Sequence, residues 1–188
     1  LVEGMDFRQA LEHLARKAGV DLSLFSGGDG RTAKRRARAR EALKLAANFY
    51  QQNLVKNPIA LEYAVKKRRL NRQTIGDFII GYAPDQGDAL TKALEKRGFS
   101  RRELADAGLV NRFGGDLFRG RMMMVLSDSS GEVVGFTGRI IRDDPRAPKY
   151  LNTPQTLLFD KSRHIFGLYQ AKEAIRKSDA AVIVEGNL

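Results

Sequence analysis

Apolar residues recur at helical spacing from the start of the chain. Phe7, Ala10, Leu11, Leu14 and Ala18 fall on one face, Asp6 and Gln9 suit a capped first turn, and Gly19 suits the end. Ser26-Gly27-Gly28-Asp29-Gly30 reads as a flexible link. A long helix is predicted from about Thr32 to Val55, with Leu43, Ala46, Ala47, Tyr50 and Leu54 as its apolar stripe and early turns that are nearly all Arg and Lys. Asn57-Pro58 starts another helix, which carries Ile59, Leu61, Tyr63, Ala64 and Val65 into Lys66-Lys67-Arg68-Arg69. A short helix from Asn71 to Phe78 leads to an apolar stretch ended by Pro84. Two more helices follow, Asp88 to Arg97 and Ser100 to Ala107, closed by Gly98 and Gly108. Ser100 and Glu103 are spaced as a capping box.

The period changes near Val110. Gly114-Gly115-Asp116 reads as a turn, Met122 to Leu126 as a buried strand, Asp128-Ser129-Ser130-Gly131 as a hairpin turn, and Glu132 to Ile141 as the return strand. Asp143 to Pro148 is a loop and Gly167 to Lys177 a helix. Ala180 to Glu185 is predicted as an apolar strand that ends on Glu185. The predicted class is α+β: a helical front, a small mixed sheet, then the first strand of a second, α/β unit.

Composition narrows the chemistry. The 188 residues suit one domain, or one plus an incomplete second, and a start at Leu1 suggests an excised piece. Glu3, Asp6 and Arg8 interrupt any signal-peptide pattern, and no apolar run approaches the ~18 residues of a membrane span. The absence of cysteine excludes disulfides and thiolate zinc sites. With only His13 and His164 available, a metal here would rest on carboxylates, which select magnesium or manganese. The net charge is +11, and residues 31–72, with thirteen Lys/Arg against Glu41 and Glu62, account for all of it. Such a field attracts polyanions, nucleic acid first. A solvated helix, or a face docked on an acidic neighbour, explains the same run.

Candidate chemistry concentrates between Arg119 and Lys161. Arg119, Arg121 and Arg139 lie on or beside the hairpin strands, with Arg121 and Arg139 placed to share a sheet face. Lys149-Tyr150-Leu151-Asn152 follows, then Thr153-Pro154 and Phe159-Asp160-Lys161. Cations along a sheet can track a phosphate backbone, Tyr150 can stack on a base, and Asn152 can meet a sugar or triphosphate. Surface charge at Lys149 and Lys161 and half-buried packing at Tyr150 explain the same residues. Glu185-Gly186 at a strand end suits a metal ligand or general base, or a plain helix cap. Gly131, Gly135 and Gly138 lie in a hairpin, so they form no dinucleotide fingerprint; Gly135 and Gly138 suit close approach of another backbone. No Ser/His/Asp or Cys/His set can be assembled, His13 reads as structural, and the Met122-Met123-Met124 run belongs to the core.

Taken in order, these segments resemble the bacterial DnaG-type primases across nearly the whole chain. The resemblance rests on Asp6-Phe7 with Ala10 and Leu14-Ala15, on Phe49-Tyr50-Gln51-Gln52, on Ile80-Gly81-Tyr82-Ala83-Pro84, and on Ala107-Gly108-Leu109. It continues through Arg119 and Arg121-Met122-Met123, Val134-Gly135-Phe136 with Gly138-Arg139, Pro148-Lys149-Tyr150-Leu151-Asn152-Thr153-Pro154 with Phe159 and Lys161, Gly167-Leu168, and Val184-Glu185-Gly186. Met124-Val125 and Asn187 depart from the usual family residues.

The resemblance implies residues 1–165 as the template-binding lobe of a primase catalytic core and 166–188 as the start of a Toprim unit with its first β-α-β elements. It implies Arg68, Arg119, Arg121, Arg139, Lys149, Tyr150 and Lys161 as template-binding residues, and Lys149 with Asn152 as nucleotide-binding. It implies Glu185 as the first catalytic, metal-binding carboxylate. Magnesium or manganese would serve the complete catalytic domain, and zinc a preceding domain. The implied partners are single-stranded DNA, ribonucleoside triphosphates and, through a separate C-terminal domain, the replicative hexameric helicase, in the bacterial cytoplasm. The implied activity is RNA primer synthesis by the parent enzyme, with these residues alone inactive. Two alternatives remain at this point: a non-enzymatic single-strand-binding module dominated by residues 31–72, and another Toprim enzyme.

Overall fold

The computed structural model describes residues 7–20, 30–142 and 144–184, so the expected Asp6 cap, most of the Ser26–Gly30 link and Glu185 lie outside the described residues. Helix α1 spans Phe7–Lys17 and α2 spans Gly30–Lys56. In α2 the buried positions are Ala39, Ala42, Leu43, Ala46, Ala47, Tyr50 and Leu54, the expected stripe extended one turn back by small residues. Helix α3, Pro58–Glu62, has Asn57 at its cap, whose side chain accepts the Ala60 N–H. It runs on into a wider π turn over Tyr63–Lys67, in which Arg68 N–H donates to the Tyr63 carbonyl at 2.9 Å. Helices α4 (Arg72–Asp77), α5 (Ala89–Glu95) and α6 (Arg101–Asp106) follow, the last with the Ser100–Glu103 capping box in place. Helix α7 is Leu168–Ser178.

Four strands, β1 (Gly81–Ala83), β2 (Arg121–Ser127), β3 (Val133–Ile140) and β4 (Tyr150–Asn152), form one sheet in the order β1-β2-β3-β4. The expected mixed sheet is antiparallel throughout, because neighbouring strands follow one another in the chain without a crossover. The β2–β3 hairpin turns at Asp128, whose carboxylate accepts from the Ser130 and Glu132 backbone and the Ser130 hydroxyl. Met122 to Leu126 are all buried because both faces of the sheet are covered. One face packs Met123, Val125 and Phe136 against Tyr50 and Leu43 of α2; the other packs Met122 and Met124 against Leu54, Ala60, Tyr63 and Ala64.

Gly81 explains how α2 and the sheet meet. A Cβ placed there would stand 2.5 Å from the backbone carbon of Tyr50, so β1 lies directly on the helix backbone. Gly135 and Gly138 serve a related need, but what they admit is side chains: Thr153 at Gly135, and Met123, Arg121 and Phe118 at Gly138.

Two expectations are corrected. Ala180 to Val184 forms no strand, and Val182, Ile183 and Val184 are largely exposed. An apolar run becomes a strand only when another strand pairs with it, and among the described residues none does. The apolar stripe of α1 is likewise uncovered there: Phe7, Leu11 and Leu14 are exposed and Ala15 alone is buried.

Candidate nucleic-acid interface

The outer edge of the sheet carries the candidate site. In the register, Arg139 of β3 stands opposite Tyr150 of β4, and Thr137 opposite Asn152. Alternation therefore puts Arg139, Tyr150 and Asn152 on one face. The Arg139 guanidinium is held from two sides. Its Nε donates to the Tyr63 hydroxyl at 2.8 Å, and its Nη1 donates to the Tyr150 hydroxyl, with the Tyr150 ring centre 4.9 Å away. Burial works against the charge on Arg139, but the two hydroxyls more than offset it and its pKa stands above the usual arginine value. A partly buried, braced cation can grip a phosphate at little cost in side-chain entropy.

Tyr63 was expected only as part of an apolar helix stripe. The π turn that begins at Tyr63 is what sets its ring beside β3, with the Lys67 ammonium 5.5 Å above it. The signal available in the chain was an aromatic residue three positions ahead of a four-residue basic run, which fits a core residue equally well. Arg68 closes the same turn; it is half-buried and its Nε is buried without a hydrogen-bond partner among the described residues.

Lys149 precedes β4 and is exposed, as is Asn152. Past β4, Phe159 packs on Leu126 and Val134 and is followed by a short 3-10 turn, Lys161–Arg163, capped by Asp160. Lys161 is exposed on that turn, and His164 lies against the Phe159 ring. The structure thus brings Arg139, Tyr150 and Asn152 together on one face of the outer strands, with exposed Lys149 immediately before β4 and exposed Lys161 on the turn that follows Phe159.

Arg121 and Arg119 do not join this row. Met122, not Arg121, is the β2 partner of Arg139, so Arg121 points to the opposite face. Arg121 is buried, its Nη1 donates to the carbonyls of Gly138 and Lys149 at 3.3 and 3.4 Å, and burial lowers its pKa. Its charge is committed to tying three strands together. Arg119 is exposed beside Gly87, on the β1 side of the sheet.

The basic run at the start of α2 is partly consumed within the fold. Arg35 makes a two-pronged pair with Asp106 at 2.7 and 2.8 Å, and Arg38 reaches Glu103 at 2.6 Å while lying 3.9 Å over the Phe99 ring. Among the described residues no three His, Cys, Asp or Glu side chains converge, so these residues do not build a metal site, and Glu185 lies outside them.

Comparison with known proteins identifies the family. Residues 49–172 match the family described as the DNA primase catalytic core, N-terminal domain. The DNA primase of Streptomyces coelicolor is 38% identical over 98% of this chain, which spans 30% of that relative. The structure of an Aquifex aeolicus primase comprising zinc-binding and RNA polymerase domains superposes with a TM-score of 0.74 at 36% identity, covering 96% of this chain and 43% of that one. A DnaG primase catalytic domain bound to single-stranded DNA superposes at 0.65 with 36% identity, covering 76% and 45% of the two chains. The α+β fold, matched in sequence over this much of its length, makes the chain a member of the family of the DNA primase catalytic core, N-terminal domain.

Proposed function

We propose that this chain is the template-holding lobe of a DNA-dependent RNA polymerase that makes short RNA primers. The observation that carries the proposal is Arg139, clamped between Tyr63 and Tyr150, with exposed Lys149 next to Tyr150 in the chain. Phosphates of a single strand would lie along the outer edge of the sheet, with Tyr150 available to a base. Lys149 and Asn152, on either side of Tyr150, would meet the incoming ribonucleoside triphosphate. In the complete enzyme a 3′-hydroxyl attacks the α-phosphate of a second nucleotide and pyrophosphate leaves. These residues contribute alignment of the reacting partners rather than the chemical step.

The proposal also assigns Glu185 as the first carboxylate of a magnesium or manganese site, residues 166–188 as the start of the Toprim unit, and zinc to a separate preceding domain. The replicative helicase would be met through a further domain, in the cytoplasm of a bacterium. Arg121, being buried, is left out of the template row, and Arg119 stands apart from it.

Binding of single-stranded DNA at several salt concentrations tests the row. Lys149→Ala and Lys161→Ala are each expected to weaken binding alike across sequences and to flatten the log-log salt dependence by about 0.7. Unchanged slopes remove both from the row. These residues alone are expected to bind template without making primer. Magnesium-dependent product in a labelled primer assay overturns that expectation.

A further inference from the structure

The cleft between α2 and α5 is used by nothing described so far. It encloses about 750 Å³, with Lys56 and Asn53 on the α2 wall, Lys96 and Arg97 on the α5 wall, and Phe49 and Tyr82 between them. A narrower recess of about 270 Å³ adjoins it and shares Phe49 and Arg97. Lys56, Lys96 and Arg97 are exposed and have no carboxylate partner among the described residues, while Asp88 at the rim is neutralised by Lys92 at 2.9 Å. Three uncompensated cations around a concave wall lined by Phe49 and Tyr82 suit a chain that carries both phosphates and bases.

A basic path joins this cleft to the proposed template edge. Ala83 pairs with Arg121, Arg121 with Ile140, and the Ile140 N–H donates to Lys149, so Pro84, Gly120, Ile141 and Lys149 share one end of the sheet. Arg119 ahead of β2, Arg142 just past β3 and Lys149 just before β4 lie there, all exposed and free of ion pairs among the described residues. Arg119 stands beside Gly87, next to the cleft residues Gln86 and Asp88, and Arg142 counters Asp85 in its effect on Tyr82. Three strand spacings, about 14 Å, separate Lys149 from the cleft side.

We propose that the α2–α5 cleft is a second subsite for single-stranded polynucleotide, reached from Lys149 across the sheet end by way of Arg142 and Arg119. It rests on the template reading for its starting point. The strand enters or leaves the edge at Lys149, passes the two arginines, and seats a phosphate among Lys56, Lys96 and Arg97. An acidic peptide would use the cations alone and leave the Phe49 face without a role; the polynucleotide uses both.

The test compares oligothymidylates of about 4 and about 16 nucleotides, which fill one subsite or both, on the 188-residue chain. Lys96→Ala/Arg97→Ala is expected to weaken the long oligomer about tenfold at ~0.1 M salt and to lower its salt slope by about 1.4, leaving the short one unchanged. Lys56→Gln, on the facing wall, and Arg142→Ala, on the path, are expected to act in the same direction, with unaltered melting temperatures. An oligouridylate of the same length separates the sources: the larger loss on DNA assigns template, and the larger loss on RNA assigns transcript. The proposal is overturned if the long oligomer binds the cleft variants as it binds the parent. Selective loss of polyglutamate binding would overturn it equally. If instead Lys149→Ala and Lys161→Ala leave the short oligomer unaffected, the template edge fails while the cleft variants still report on the long one.

Discussion

Single residues in this fold are decided by where their polar atoms find partners. Asp116 sits in a Gly-rich turn, and the chain alone suggests only a turn residue. In the structure it is buried, and its two carboxylate oxygens accept from the Leu90 and Thr91 backbone N–H groups and from the Thr91 hydroxyl at 2.6 to 2.8 Å. It caps α5 from 25 residues away, in place of Asp88, whose side chain makes no cap bond. Burial, and then the charge of Asp116, push the Tyr50 hydroxyl well above its usual pKa, so Tyr50 stays neutral. Asp116→Ala strands three buried donors and is expected to cost about 1–3 kcal/mol. That is roughly 2–10 °C in melting temperature for a chain of this size, readable by circular dichroism. An unchanged melting temperature would mean that water replaces the carboxylate. Arg139 and Arg121 make the same point as a pair: two arginines on adjacent strands, one braced by phenols at a surface edge and one spent on carbonyls inside.

At the scale of elements, close approach and helix winding position the interface. Gly81 lets β1 press on the α2 backbone, and β1 in turn carries the sheet whose far edge holds Arg139 and Tyr150. Gly81→Ala must displace backbone rather than a side chain. It is expected to destabilise by about 1–3 kcal/mol, or more if the strand detaches, by denaturant titration. The Phe49-Tyr50-Gln51-Gln52 and Ile80-Gly81-Tyr82 landmarks are thus two halves of one contact. The π turn at Tyr63–Lys67 works similarly: it carries the first half of the basic run, Lys66 and Lys67, and leaves Tyr63 to support Arg139.

For the molecule as a whole, the location of the charge excess is a poor guide to where it acts. Residues 31–72 hold the whole +11, yet Arg35 and Arg38 hold α2 to α6 through Asp106 and Glu103. That disfavours a module in which the basic helix alone captures nucleic acid. It also makes stability depend on acid. Hydrogen bonds from Arg38 and from the Ser100 backbone hold Glu103 at about 2, below its usual 4.5, and Arg35 lowers Asp106 likewise. A carboxylate whose folded pKa is depressed stabilises the fold above its unfolded value, and that stability is lost as pH falls through the folded one. Melting temperatures are therefore expected to decline from about pH 4.5 toward about 2, with Glu103→Gln less stable at neutral pH and flatter across that window. A parallel decline in the variant would exonerate the Arg38–Glu103 pair.

Local rules carried much of this protein. Helical period, the Asn57 cap, the Ser100–Glu103 box and the Asp128 hairpin are set by neighbours in the chain, and the structure forms each of them. Ordered motifs sufficed to place the chain in its family, and of the residues they singled out the fold sets Arg139, Tyr150 and Asn152 on one face. What adjacency cannot encode was settled by tertiary packing. The sheet face taken by Arg121 depends on a one-residue register. Tyr63 depends on a π turn, the Asp116 cap on a partner 25 residues distant, and the state of Ala180–Val184 on whether a strand lies beside them. Each turns on contacts between segments far apart in the chain, and those exist only once the chain has folded.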